Sequence, residues 1–268
     1  MLRHSQAQII ATIGPASRSV STISKMIARQ MDVARLNFSH GTYEDHAQYI
    51  ARIRTAAKKA GRRIPIIQDL SGPRIQKKSG HHLSKKFTSV VTQKDVRDLQ
   101  FGIAHHIDYV AMSYVGTASD VLQLRAFMKK NGGVKPIIAK IERRAAVKNL
   151  LAIIKAAEAI MIGRGDLANE IPLAEIPFLE KEIITSCKKL RKPVITATQM
   201  MLSMVENPTP TRAEVTDVAF AIVNGSDCVM LSEETAIGKY PVETVSMMEK
   251  IVSAAEKHLN SQLPFHHL

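Results

Sequence analysis

A chain of 268 residues, 45% hydrophobic and 23% charged, can build one sizeable core and has the composition of an ordinary globular protein. Tryptophan is absent and aromatic residues make up 4%, so stacking surfaces for single-stranded nucleic acid are scarce. The formal net charge of +13 is dispersed along the chain without a long basic tail, which argues for small anionic partners and against nucleic acid.

In chain order, apolar runs of strand length alternate with segments of helical periodicity. The strand signals fall at 8–14, 32–39, 64–71, 109–115, 136–142, 159–163, 193–198 and 227–232. Helical patterns occupy 19–30, 42–61, 92–106, 118–131, 144–157, 176–190, 211–224 and 242–259. Thr42 with Asp45 reads as a capping box, and Gly225 as a glycine stop. The segment 72–91, with Gly-Pro, lysine pairs and a histidine pair, reads as a long connection with a short strand at 87–91. Strict alternation of strand and helix predicts a parallel sheet with helical cover. Eight such units close a barrel, so the expected fold is α/β, a (β/α)8 TIM barrel forming one domain over 1–268. A doubly wound open sheet fits less well, because no Gly-x-Gly-x-x-Gly opens a helix after the first strand.

Cys187 and Cys228 lie in separate apolar segments without metal-ligand spacing. No secretory signal or membrane-spanning run is apparent, so the expectation is a reduced, cytoplasmic protein with no membrane partner. The pairs His81-His82, His105-His106 and His266-His267 lack zinc-site spacing and read as exposed histidines.

The carboxyl ends of barrel strands form the functional face. Read in order, those ends carry Arg35, Asn37 and Ser39, then Asp69, Lys140 and Glu142, Arg164 and Asp166, Thr196 and Thr198, and Ser232 with Glu234. A buried strand tolerates such groups only where a partner, metal or ligand compensates their desolvation. Arg35 and Lys140 suit a phosphate, while Glu142 and Asp166 are hard oxygen donors suited to magnesium. Gly163 and Gly165 permit close backbone approach at the start of a short helix. The chemistry indicated is phosphoryl transfer or enolate stabilisation; the competing reading is an internal ion-pair network without a ligand.

At these residues the chain resembles the pyruvate kinase family. Ala11-Thr-Ile-Gly-Pro-Ala-Ser17, Arg35-Leu-Asn-Phe-Ser-His-Gly41, Lys140-Ile-Glu142, Arg164-Gly-Asp-Leu167, Ala197-Thr-Gln-Met200, Thr211-Arg-Ala-Glu214 and Met230-Leu-Ser-Glu-Glu-Thr-Ala236 look like that family's motifs and occur in its order. The resemblance implies a phosphotransferase converting phosphoenolpyruvate and ADP to pyruvate and ATP. It implies that Arg35 binds the transferred phosphate and that Lys140 stabilises phosphoryl and enolate charge. Glu142 and Asp166 would hold Mg2+ or Mn2+. The amides of Gly165 and Asp166, with Thr198, would receive the substrate carboxylate, and Thr198 lies where the family protonates the enolate through water. Asn37, Ser39, Asp69 and the Leu70 carbonyl match the family's K+ site. The family's barrels meet through outer helices, so a homo-oligomer is expected.

Departures from the pattern qualify these expectations. The segment 72–91 stands where the family inserts a lid domain, and the chain stops soon after the eighth helix, so what remains resembles the catalytic barrel without lid and C-terminal regulatory domain. Gln76 replaces an arginine near the nucleotide phosphates, and Lys85-Lys86 in the shortened loop is a candidate substitute contact for ADP. Arg74 stands where potassium-dependent members have glutamate, so its guanidinium is the expected stand-in for K+. Glu233 replaces a glycine. Two other functions fit the residues: a nucleotide-independent, metal-dependent enolate lyase or decarboxylase of the related phosphoenolpyruvate/pyruvate barrels, and a non-catalytic anion-binding subunit.

Overall fold

The computed structural model describes residues 5–77, 80–83 and 90–261, with side chains for 5–73 and 90–259. Eight strands form a closed parallel barrel: β1 (Gln8–Thr12), β2 (Met31–Asn37), β3 (Ile66–Asp69), β4 (Tyr109–Met112), β5 (Ile137–Ile141), β6 (Ala159–Gly163), β7 (Val194–Ala197) and β8 (Cys228–Leu231). Each pairs with its sequence neighbours, and β8 closes on β1 with Gln8 opposite Cys228. The expected (β/α)8 fold is therefore the fold observed.

The period of two along each strand builds two cores at once. Ile10, Val33, Ile67, Ala111, Ile138, Met161, Ile195 and Met230 fill the barrel interior, while residues such as Ile9, Leu36, Ile66, Val110, Ile141 and Ile162 pack outward against the helices. Strand starts are tied in pairs. Asp32 accepts from the Ile9 amide at 3.0 Å, Asp108 from Ile66 at 2.8 Å, Glu158 from Ile137 at 2.8 Å, and Asp227 from Val194 at 3.0 Å. Each carboxylate at the start of an even strand fixes an amide at the start of the odd strand before it.

Helices form where the caps allow them. Thr42–Asp45, Thr92–Asp95 and Thr211–Glu214 are reciprocal capping boxes opening Tyr43–Lys59, Gln93–Ala104 and Arg212–Val223. The motif Thr211-Arg-Ala-Glu214 is thus first a helix start. Its Glu214 also accepts from the Ser203 amide at 2.7 Å, anchoring the turn Leu202–Val205. Gly225, at φ 99°, ends that helix as the sequence predicted.

Acidic residues open the helices (Glu44, Asp45, Asp95, Asp120, Glu214, Glu243) and basic residues close them (Lys25, Lys58, Lys59, Lys129, Lys130, Lys188, Lys189). These seven lysines therefore lie toward the barrel's amino-terminal face, where they complement helix dipoles.

Two other local expectations change. The helix expected over 144–157 is two, Arg144–Lys148 and Leu150–Ala156, meeting at Asn149. In the segment 72–91 the observed strands are Arg74–Lys77 and Gly80–Leu83, an antiparallel hairpin. Val90 and Val91 belong to no strand. Residues 87–89, Lys85-Lys86 and His266-His267 lie outside the described residues, as do the side chains of Arg74, Gln76, His81 and His82. No helix of the described residues is long and apolar enough to cross a membrane.

Candidate active site

The alternation that fills the barrel with apolar side chains also delivers the site. Two residues beyond Ile10, Val33, Ile67, Ala111, Ile138 and Met161, on the same interior face, stand Thr12, Arg35, Asp69, Ser113, Lys140 and Gly163. These polar groups form a layer across the mouth, and all but Gly163 are joined by hydrogen bonds. Arg35 Nη1 donates to Thr12 Oγ1 at 2.9 Å and its Nε to Asp69 Oδ2 at 2.7 Å. Lys140 Nζ donates to Asp69 Oδ1 at 3.1 Å, to Ser113 Oγ at 2.8 Å and to Glu142 Oε1 at 2.8 Å. Ser113 Oγ in turn donates to the Leu70 carbonyl at 2.7 Å. Every member is buried, so the charges are held by one another and not by water.

Glu142 and Asp166 are bridged by Tyr114. Its amide donates to Glu142 Oε2 at 2.8 Å and its hydroxyl to Asp166 Oδ1 at 3.2 Å. Asp166 belongs to the short helix Arg164–Leu167 that follows β6. Formally, two cations (Arg35, Lys140) meet three carboxylates (Asp69, Glu142, Asp166), and the surplus negative charge lies on the Glu142–Asp166 side.

Thr198 sits at φ 68°, a conformation that β-branched residues rarely adopt. Its hydroxyl accepts from the Gly165 amide at 2.9 Å and donates to the Ala197 carbonyl at 2.6 Å. Of the two amides expected to receive a carboxylate, Gly165 is thus already engaged by Thr198. Of the four groups expected at a K+ site, Asp69 is held by Arg35 and Lys140, the Leu70 carbonyl by Ser113, and Asn37 Oδ1 accepts from the Ser39 amide at 3.1 Å. Among the described residues, Ser39 Oγ is buried without a hydrogen-bond partner.

Three residues read as rim groups point elsewhere. Thr196 has the wrong parity. Its neighbours Ile195 and Ala197 face the interior, and its own hydroxyl bonds Ser226 Oγ at 2.9 Å in the outer layer. Arg164 turns outward to Asp217 at 2.7 Å and Glu180 at 3.1 Å, while its Nη2 donates to the Thr198 carbonyl at 2.8 Å. Burial pushes the Glu180 carboxyl up, against the pull of Arg164. Glu234 turns back onto the amides of Ser232 at 2.7 Å and Met201 at 3.2 Å, and burial raises its pKa. Glu233 is the exposed first residue of the short helix Glu233–Ala236, and nothing in the structure explains its replacing glycine. Thr12, Ser113 and Tyr114 were not expected from the sequence, although the first two obey the same two-residue rule as Arg35 and Lys140.

The mouth thus sets a lysine between two carboxylates, with a third carboxylate across a tyrosine. A model of the pyruvate kinase barrel domain matches residues 4–90 and 86–245. The chain belongs to the pyruvate kinase family. A pyruvate kinase from Thermococcus litoralis is 38% identical over 336 aligned positions, covering 96% of this chain and 71% of that protein. Pyruvate kinases from Bacillus licheniformis and Geobacillus stearothermophilus are 36% and 37% identical, covering 95% of the chain in each case. The chain spans 58% and 57% of those two relatives. The aligned spans exceed the chain's own 268 residues, so these pyruvate kinases carry residues within the matched region that this member lacks. The two matched segments of the family's barrel domain meet at residues 86–90, beside the hairpin.

Proposed function

We propose that the chain transfers the phosphoryl group of phosphoenolpyruvate to ADP and then protonates the enolate to pyruvate. The observation that carries this reading is the mouth layer: Arg35, Lys140, Glu142 and Asp166 converge on one barrel end in a member of the pyruvate kinase family. Arg35 is fixed by Thr12 and Asp69 through Nη1 and Nε, which leaves Nη2 outside those bonds to meet the transferred phosphate. Lys140, held by Asp69, Ser113 and Glu142, places one compact charge where phosphoryl and then enolate oxygen develop negative charge. Thr198 holds the hydroxyl through which a water would be oriented to protonate the enolate carbon.

Among the described residues no group of three or more His, Cys, Asp or Glu side chains could hold a metal. Two carboxylates fit Mg2+ or Mn2+, which take one or two protein carboxylates and complete their shells with water and substrate phosphate. Glu142 and Asp166 would hold it, and when bound it supplies charge neutralisation for the transferred group. The K+ set fits less well, because Asp69 is already neutralised by Arg35 and Lys140.

We further propose that the residues absent from the matched span are the family's lid, and that the hairpin in the segment 72–91 takes its place over 1–268. Without a lid the nucleotide is held by fewer groups, which favours weak ADP binding. The test is pyruvate formation from phosphoenolpyruvate with Mg2+, with and without ADP, in the wild type and Lys140→Met. ADP-dependent turnover that vanishes in the variant supports the reading. Magnesium-dependent enolate chemistry without ADP replaces it with the lyase reading, and bound phosphoenolpyruvate without turnover replaces it with a non-catalytic anion site.

A further inference from the structure

We propose that Tyr114 is a positioning residue that sets the separation and orientation of Glu142 and Asp166 for a divalent cation; this rests on the reading above that those two carboxylates hold the metal. Tyr114 stands two residues beyond the end of β4, at φ 57°. A bulky aromatic residue in that region persists only where its surroundings hold it. Here four contacts do so. The amide donates to Glu142 Oε2 at 2.8 Å, and the carbonyl accepts from Arg143 Nη1 at 3.3 Å. The ring lies under Gly72, where an added Cβ would stand 3.1 Å from Tyr114 Cδ2. The hydroxyl donates to Asp166 Oδ1 at 3.2 Å.

The left-handed backbone aims the amide at one carboxylate while the ring reaches the other. The two donors, the backbone amide and the phenol hydroxyl, sit at opposite ends of the residue, which acts as a spacer between the end of β5 and the helix after β6. Glu142 is held from its other side by Lys140 at 2.8 Å, so its two oxygens have fixed directions. Asp166, on a four-residue helix at the rim, receives the tyrosine hydroxyl on Oδ1, which leaves its second oxygen to turn toward a cation. Carboxylates that bind metals are normally oriented by such outer hydrogen bonds, and removing one weakens metal binding by about 10- to 100-fold. Tyr114→Phe deletes only the hydroxyl and keeps the amide, the ring and the packing under Gly72.

The experiment is Mn2+ binding to the full chain without substrate, read by the electron paramagnetic resonance of free Mn2+, for the wild type, Tyr114→Phe and Glu142→Gln. The expected result is a wild-type site abolished by Glu142→Gln and weakened about tenfold by Tyr114→Phe, with an unchanged melting temperature for the latter. Wild-type affinity in Tyr114→Phe overturns the inference while leaving the metal reading standing. No Mn2+ binding by the wild type overturns the metal reading and the inference with it. If Tyr114→Phe fails to fold, 3-fluorotyrosine at position 114 serves instead. Its fluorine resonance should move with Mg2+ in step with occupancy, and a resonance that stays still through saturation overturns the proposal.

Discussion

Glu142, one residue beyond β5, stands so close to Gly163 on the adjacent strand β6 that a Cβ on Gly163 would lie 2.6 Å from Glu142 Cγ. Gly163 is the mouth-layer position of β6, where β1 to β5 place polar side chains, and its missing side chain is the space Glu142 occupies. Gly163→Ala must push Glu142 off Lys140 and the Tyr114 amide. Overpacking of this kind costs about 2 kcal/mol, and a misplacement near 1 Å in a catalytic array costs about a hundredfold in rate. Gly61→Ala is the contrast. Its φ of 61° makes alanine strained, but nothing lies within 4 Å of the added Cβ. It should lower stability by about 1 kcal/mol and leave turnover unchanged. Thermal melts and the pyruvate assay on both variants separate the two effects.

Arg164 links the outer helices to the mouth. It is clamped by Asp217 and Glu180, from Arg212–Val223 and Ile176–Lys189, and holds the Thr198 carbonyl. Arg164→Met leaves Glu180 buried beside apolar neighbours and should destabilise the fold by about 3 kcal/mol. It also releases Thr198, so turnover should fall along with stability. Glu180→Gln should cost under about 1 kcal/mol, because burial already disfavours the charged carboxyl and Oε1 has no hydrogen-bond partner among the described residues. Urea unfolding of the two variants, with turnover measured on each, checks the contrast. Equal losses would mean that Asp217 does not hold Arg164 by itself.

Asp69 accepts one cation on each oxygen, Arg35 at 2.7 Å and Lys140 at 3.1 Å. A third cation would add charge where the carboxylate is already neutral overall. Turnover is therefore expected to be the same in potassium and in tetramethylammonium salts at equal ionic strength. A rate that climbs with potassium would return the Ser39 hydroxyl, buried and unpartnered among the described residues, to the role of a cation ligand.

What the sequence made legible follows from the same geometry. Arg35, Asp69, Lys140 and Glu142 could be read because each charge interrupts an apolar strand two residues beyond an interior position. Thr12 and Ser113 occupy equivalent positions, but each lies inside its apolar run, followed by Ile13 and by Tyr114-Val115, and so marks no strand end. Thr196 was read as a rim group because parity cannot be assigned until the neighbouring strands fix which face is inside. Arg164 finds its partners 16 and 53 residues away on two helices, beyond any local pattern. The backbone reversal at Tyr114 leaves no trace in residue type, since aromatic residues ordinarily avoid positive φ.

His46 gives the fold a pH limit that the sequence does not announce. Its ring stacks on Phe38, with centroids 4.0 Å apart and planes 6° from parallel, and Nε2 lies 3.0 Å from the His40 carbonyl. Burial pushes its pKa down from 6.5 to about 4, with the hydrogen bond to His40 opposing and Lys94 adding a smaller downward push. The folded state thus keeps His46 neutral where the unfolded chain protonates it. Between pH 6.5 and about 4 the unfolded state binds the extra proton, so this stability is complete above pH 6.5 and lost as pH falls toward 4. The melting temperature of the wild type should fall relative to that of His46→Phe as pH drops across that window, because the phenylalanine keeps the stack and cannot take up a proton. Parallel curves would show that another group carries the acid sensitivity.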